Sequence, residues 1–122
     1  MKKLLLGIAA VCLAGFTFAQ DAPLWMRHSV ISPDGTTIAF TYKGDIYTVP
    51  VAGGRAMQIT TNPAYDTAPV WSPDSKRIAF ASDRMGSLDV YIVAKDGGEP
   101  RRLTTHSGSE TPLAFTDAGH VL

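Results

Sequence analysis

The residues of this chain that could carry out covalent chemistry lie together near its carboxyl end. His106, Ser107, Ser109 and Glu110 place hydroxyl groups, an imidazole and a carboxylate within five positions. A catalytic triad is defined by its geometry in space, and neighbours along a polar segment rarely reach that geometry. The chain also has no Gly-x-Ser-x-Gly nucleophile elbow. We therefore predict a loop here and assign no catalytic residue.

Acidic turns and histidines are the residues that could bind a metal ion. Asp34-Gly35 and Asp96-Gly97 resemble the start of calcium loops, but neither has the carboxylates at alternate positions that calcium requires. His28, His106 and His120 lack the spacing of metal ligands. We predict turns at both acidic sites, with no metal and no cofactor.

One charged segment is a candidate for contact with a peptide or a partner protein. It runs from Asp83 to Ser87 and contains Arg84 and Met85, which we take as the candidate contact residues. The competing interpretation is an ordinary solvated hairpin, because exposed charges contribute little by themselves.

Two near-copies of one phrase predict the architecture that positions these residues. Ile31-Ser32-Pro33-Asp34-Gly35 precedes Ile38-Ala39-Phe40, and Trp71-Ser72-Pro73-Asp74-Ser75 precedes Ile78-Ala79-Phe80, with a period of 40 residues. This period is the length of a four-stranded propeller blade, which needs neighbours to bury its faces. The sequence therefore predicts an all-β fold, a β-propeller of four-stranded antiparallel blades.

The copies extend beyond that phrase and give approximate boundaries. Asp45-Ile46-Tyr47 returns as Asp89-Val90-Tyr91, and a third copy opens at Thr111-Pro112. We expect the first blade at about residues 25–61, the second at about 65–105 and the start of a third at about 110. The second copy has four extra residues within 83–88, which we expect in a hairpin loop.

The repeated Ser-Pro-Asp phrase predicts a tight hairpin. Pro33 fixes φ and Gly35 accepts a positive φ without a Cβ clash, as a type I turn followed by a left-handed residue requires. Ser75 takes the position of Gly35 in the second copy, which should cost about 1 kcal/mol if the backbone is unchanged. We expect some local relaxation at Ser75.

Residues 1–19 resemble a secretory signal peptide. Lys2 and Lys3 precede an apolar run that ends near Ala19. This run is shorter than the roughly 20 residues that span a bilayer, so we expect cleavage and no membrane span afterwards. The chain is then periplasmic or otherwise exported. Cys12 falls inside this segment, so the mature chain can form no disulfide.

The charge of the mature chain argues against nucleic acid as a partner. Removal of the signal leaves nine basic and eleven acidic residues. The largest basic cluster is Arg101-Arg102, which is too small for an electrostatic footprint on a phosphate backbone.

The stretch from Pro69 to Tyr91 resembles the Trp-Ser-Pro-Asp propeller repeat of TolB and of tricorn proteases. TolB carries an α/β domain before its propeller, whereas Trp25 here enters the first blade soon after the predicted cleavage site. The chain is therefore most similar to the amino-terminal end of exported bacterial tricorn protease homologues. That resemblance implies two propellers, a PDZ-like domain and a downstream serine peptidase core. It also implies propellers that gate or filter unfolded peptides, in a segment that is itself non-catalytic.

Two other functions remain open at this point. One is a non-enzymatic, TolB-like protein-binding propeller, and the other is the propeller of another exported hydrolase, because fold alone does not decide function. The expected partners are peptide or unfolded protein substrate, the remaining blades and downstream domains of the same protein, and further copies in a homo-oligomer.

Overall fold

The computed structural model describes residues 26–117 and 119–122. The predicted signal peptide and Trp25 lie outside the described residues. Ten antiparallel β-strands occupy the described part of the chain, and four-stranded sheets are formed twice in sequence order. The predicted all-β fold is confirmed.

The strands divide into three groups. Blade 1 consists of β1 (Met26–Ile31), β2 (Thr37–Tyr42), β3 (Asp45–Pro50) and β4 (Met57–Gln58). Blade 2 consists of β5 (Asp66–Trp71), β6 (Arg77–Met85), β7 (Ser87–Ala94) and β8 (Arg101–Arg102). The start of blade 3 is a hairpin of β9 (Phe115–Asp117) and β10 (His120–Val121).

The Ser-Pro-Asp turns have the same backbone in both blades. Gly35 has φ 73° and its N–H donates to Ser32 O at 2.8 Å, while Ser75 has φ 60° and donates to Ser72 O at 2.9 Å. The expected relaxation at Ser75 is therefore wrong. Its Oγ accepts a hydrogen bond from the backbone N–H of Asp34 at 3.0 Å, and this bond between blades offsets the backbone strain.

Each turn is closed by a serine hydroxyl and an aspartate carboxylate. Ser32 Oγ donates to Asp34 Oδ1 at 2.6 Å, and Ser72 Oγ donates to Asp74 Oδ1 at 2.6 Å. Both carboxylates also accept a backbone N–H two residues further along. These bonds, the serine bond first, lower the pKa of Asp34 and of Asp74 because they favour the charged form.

The four extra residues of the second copy lengthen its strands. β6 has nine residues and β7 has eight, against six each in β2 and β3, and pairing continues to Met85 and Ser87 around Gly86. The expected hairpin is present, but most of this segment is strand and not loop: the register shifts between Ser82 and Met85, and Gly86, at φ 110°, donates its N–H to Asp83 O at 2.8 Å at the reversal of the chain.

The apolar core lies between the two blades. Phe80 is fully buried, and its ring is stacked on Tyr91 at 6.0 Å between centroids. From the blade 1 side, the small Ala39 joins two larger residues, Ile46 and Ile59, and its size allows close approach of the sheets. The cluster consists of Ala39, Ile46, Ile59, Trp71, Ile78, Phe80, Tyr91 and Val93. Burial of such side chains contributes about 1.5–3 kcal/mol each.

Candidate functional site

Hydrogen bonds join blade 1 to blade 2, and we call this contact between the two blades the blade seam. Two hydrogen bonds cross it besides that of Ser75. The indole N–H of Trp71 donates to Val30 O at 3.1 Å, and the N–H of Asp66 donates to Gly44 O at 2.7 Å. Trp71 is 8% exposed and belongs to the apolar core.

Arg84, one of the two candidate contact residues, lies inside the seam. Its Nη2 is 3.2 Å from both carboxylate oxygens of the fully buried Asp66, and its Nε donates to Ser82 Oγ at 2.8 Å. The guanidinium carbon is 4.5 Å from the ring centroid of Tyr91, within cation–π range. The other candidate, Met85, is 65% exposed. Arg84 therefore lies inside the blade seam, whereas Met85 is exposed at the tip of the hairpin between β6 and β7.

A small polar cavity adjoins Arg84 at the edge of the seam. Its volume is about 150 Å³. The remaining walls come from the segment that follows β4 in blade 1 and the loop that precedes β8 in blade 2: Ile59, Thr60, Thr61, Asn62, Gly98, Glu99 and Pro100.

A second ion pair lies within blade 2, as does that of Arg84 and Asp66. Arg102 Nη2 is 2.7 Å from Oδ2 of the fully buried Asp89. Asp66, Ser82 and Asp89 are cross-strand partners, so both buried carboxylates lie in one row across β5, β6 and β7. One sheet face of blade 2 therefore carries two aspartates, each held by an arginine.

The corresponding aspartate of blade 1 has a different environment. Burial raises the pKa of Asp45, and the nearby charge of Asp66 raises it further, against a hydrogen bond from Thr60. Gln58 stands where blade 2 has Arg102, and its amide donates to Thr60 O at 2.9 Å. No salt bridge to Asp45 is found within the described ranges.

The segment that resembled a catalytic cluster lies outside the strands. His106 Nδ1 accepts a hydrogen bond from the N–H of Gly108 at 3.0 Å, so its ring is used in the local turn. The N–H of Glu110 donates to Leu88 O at 2.7 Å, which fixes the end of this loop against blade 2. Ser107 and Ser109 are exposed in the same loop.

The other candidate ligands are dispersed. His28 sits at φ 51° in the bulge of β1, and His120 Nδ1 contacts Asp117 at 2.8 and 2.9 Å. A backbone bond from Gly119 and the contact with His120 lower the pKa of Asp117. Across residues 26–117 and 119–122, histidine, cysteine and acidic side chains do not form a group of three that could hold a metal. The same ranges contain no helix long and apolar enough to cross a membrane.

Successive four-stranded antiparallel sheets that pack face to face define the blades of a β-propeller. The family model of the tricorn protease N-terminal β-propeller domain matches residues 23–122, and the chain belongs to this family. The resemblance to the tricorn repeat is thereby confirmed.

Two relatives carry peptidase names. Tricorn protease homolog 1 of Streptomyces coelicolor is 35% identical over 102 residues, which are 83% of this chain and 9% of that protein. The uncharacterized peptidase YuxL of Bacillus subtilis is 31% identical over 124 aligned residues, covering 100% of this chain and 19% of that protein. The chain thus spans less than a fifth of either relative.

Solved structures show the same fold. The tricorn protease has a TM-score of 0.68 at 23% identity, over 82% of this chain and 11% of its own. TolB from Acinetobacter baumannii has a TM-score of 0.64 at 25% identity, over 75% of this chain and 24% of its own.

Proposed function

We propose that this chain is part of a propeller that filters or gates substrate for an exported, tricorn-like serine protease acting on unfolded proteins or peptides. The observation that carries the proposal is the match of the tricorn propeller family to residues 23–122. The peptidase names of both relatives support it. The signal-like residues 1–19 support export to the periplasm.

An apolar surface formed by the first strands of the blades and the residues beside them suits an unfolded substrate. Ile31 is 61% exposed and Leu113 is 73% exposed, and both line an open cleft of about 450 Å³. The other walls are also mostly apolar: Val30, Pro33, Val70, Trp71, Pro73, Ala114 and Phe115. Exposed apolar surface of this kind is typical of binding sites, and an unfolded polypeptide offers matching apolar side chains.

The test uses the full-length protein and substrates of different length. Ile31→Asp and Leu113→Asp should slow the hydrolysis of a long unfolded protein, because a charge in the cleft disfavours apolar segments. Hydrolysis of a short peptide that reaches the peptidase without the cleft should be unchanged. Val51→Asp is the matched control, since Val51 is 47% exposed but lies after β3 and away from the cleft. Equal rates for all three variants on the long substrate would contradict the filtering role.

A TolB-like binding propeller is the second candidate, and the likeness to TolB at TM-score 0.64 favours it. It predicts a full-length protein without peptidase activity that co-purifies with an envelope protein. Hydrolysis of unfolded protein that is lost on treatment with a serine-directed inhibitor separates the serine-protease proposal from this one.

A further inference from the structure

The two Asp-Gly pairs of the sequence lie in turns with the same backbone. Asp34-Gly35 is in the turn between β1 and β2, and Asp96-Gly97 is in the turn between β7 and β8. The N–H of each glycine donates to the carbonyl oxygen three residues earlier, at 2.8 Å in the first turn and 2.9 Å in the second. Both glycines have a positive φ, 73° and 95°. Any difference in reactivity between the two pairs therefore has to come from the aspartate side chains.

The carboxylate of Asp34 is held by its own turn. Its Oδ1 accepts hydrogen bonds from Ser32 Oγ at 2.6 Å, from Thr36 Oγ1 at 2.8 Å and from the N–H of Thr36 at 3.1 Å. These bonds, that of Ser32 first, lower the pKa of Asp34 because they favour the charged form. The side chain is therefore fixed and kept charged, and both conditions oppose loss of one of its oxygens in a reaction with the main chain.

The carboxylate of Asp96 is exposed and is not held in this way. Within residues 26–117 and 119–122 it forms no hydrogen bond and no salt bridge. The equivalent turn of blade 1 has Ala52 in its place, and the N–H of Gly53 donates to Pro50 O there at 2.9 Å. The turn therefore forms without an aspartate, and its hydrogen bonds do not restrain the side chain of Asp96.

An aspartate followed by glycine can react with its own main chain, because glycine has no Cβ to hinder the approach. The backbone nitrogen of Gly97 attacks Cγ of the protonated Asp96 carboxyl group. The N–Cγ bond forms, the Cγ–OH bond breaks, and the hydroxyl leaves with the amide proton as water, which gives a succinimide. Water then adds to the main-chain carbonyl carbon of Asp96 and breaks its bond to the nitrogen of Gly97. The chain now continues through Cγ and carries an α-carboxylate as its side group, which is isoaspartate.

We propose that Asp96 is a site of spontaneous conversion to isoaspartate in the folded protein, and that the turn bonds of Asp34 protect the other pair. The reaction consumes one water and releases one, so it requires no other reactant. The inference goes beyond the proposed filtering function and does not depend on it.

The modified turn lies against blade 1. Asp96 lines a cavity of about 180 Å³ together with Arg55 and Met57 of blade 1. A Cβ added at Gly97 would lie 3.7 Å from Ile59 O, also in blade 1. Isoaspartate lengthens the main chain by the Cβ methylene and moves the carboxylate. The conversion therefore alters the contact between the two blades without a change of sequence.

The experiment follows isoaspartate in the full-length protein during several weeks at neutral pH. Digestion and mass spectrometry with electron-transfer fragmentation distinguish isoaspartate from aspartate at each pair, because the two main chains break into different fragments. Asp96 should convert roughly tenfold or more faster than Asp34, since reaction at Asp34 first requires release of its hydrogen bonds. Synthetic peptides of residues 31–37 and 93–99 are the control for intrinsic reactivity, and these two peptides should convert at similar rates.

Two variants separate restraint by the fold from the chemistry of the pair. Thr36→Val removes one hydrogen bond from Asp34 Oδ1 and should speed conversion at Asp34 roughly threefold, with no change at Asp96. Asp96→Ala should abolish the isoaspartate signal of the β7–β8 turn, and Ala52 indicates that this turn accepts alanine.

Three results would overturn the proposal. One is equal conversion of Asp34 and Asp96 in the folded protein. Another is an Asp96 that stays unconverted over a time in which its peptide forms isoaspartate, because the fold would then protect this pair too. The third is a Thr36→Val variant whose Asp34 converts no faster than in the parent protein, since the turn bonds would then not be the source of protection.

Discussion

Blade 1 and blade 2 share a turn and a strand pattern but differ in their buried charges. In blade 2, Asp89 is held by Arg102 at 2.7 Å, whereas Gln58 replaces the arginine in blade 1 and Asp45 has a raised pKa. The Ser-x-Asp turn bonds, in contrast, agree within 0.1 Å between the blades. The comparison indicates that the turn and the apolar face define a blade, and that ion pairs are additions specific to one blade.

The largest expected effect comes from the apolar face that both blades build together. Phe80→Ala should lower the free energy of unfolding of the propeller by about 3–5 kcal/mol, because a fully buried ring leaves a cavity between the blades. Urea unfolding of the full-length protein measures it. Met85→Ala, on the same strand but 65% exposed, should stay within about 0.5 kcal/mol. Similar losses for both variants would contradict the assigned core.

Removal of a buried carboxylate tests the charges that distinguish blade 2. Asp66→Asn should cost about 2–4 kcal/mol, since it leaves the Arg84 guanidinium, 13% exposed, without its anion. The same unfolding measurement applies, with the exposed Asp96→Asn as the control. A loss no greater than that of the control would mean that Arg84 finds another partner.

The turn position that differs between the blades should give an intermediate effect. Ser75→Ala should cost about 1 kcal/mol, because φ 60° remains while the bond to the Asp34 N–H is lost. Ser75→Gly should be nearly neutral, since relief of strain offsets the lost bond. Gly35→Ser should cost about 1 kcal/mol of stability, because Gly35 has φ 73° and a Cβ added there would have no neighbour within 4 Å to offset the backbone strain. Thermal unfolding ranks the three, and a stabilising Gly35→Ser would refute the strain argument.

The smallest effect concerns pH and the unpaired aspartate of blade 1. A carboxyl whose pKa is raised on folding stabilises the protein below its unfolded pKa, and that contribution is lost as pH rises through the folded pKa. Asp45→Asn should therefore raise the free energy of unfolding by about a few tenths of a kcal/mol over the parent protein at pH 7. This difference should disappear below pH 3.8, where the carboxyl is protonated in the folded and the unfolded protein. Asp89→Asn should instead be destabilising at pH 7, because Arg102 loses its partner. An equal response of both variants would remove the distinction between the blades.

The repeat in the sequence was sufficient to predict the fold, because strand and turn are determined locally. Pro33, Asp34 and Gly35 specify the turn by their own backbone preferences, and alternation in Ile78-Ala79-Phe80 specifies the faces of the strand. The structure bears out these features. They depend on neighbours a few residues apart.

Contacts between residues far apart along the chain could not be predicted from the sequence. Ser75 was expected to relax its backbone, but its hydroxyl meets the N–H of Asp34, 41 residues away. Arg84 was a candidate contact residue or part of a solvated hairpin, yet within blade 2 it binds Asp66, 18 residues away, because the longer β6 carries it there. One feature of the sequence could have indicated this ion pair. Asp66 and Arg84 flank the repeated phrase, and a buried aspartate needs a cation.

The most direct test of the account is the sequence of the reading frame beyond Leu122, followed by the structure of its product. We predict further copies of the repeat that close a propeller, with each contact between blades built as between blade 1 and blade 2, and a tricorn-type peptidase core downstream. A single propeller with no peptidase domain would contradict the proteolytic function, and the absence of further copies would contradict the propeller itself.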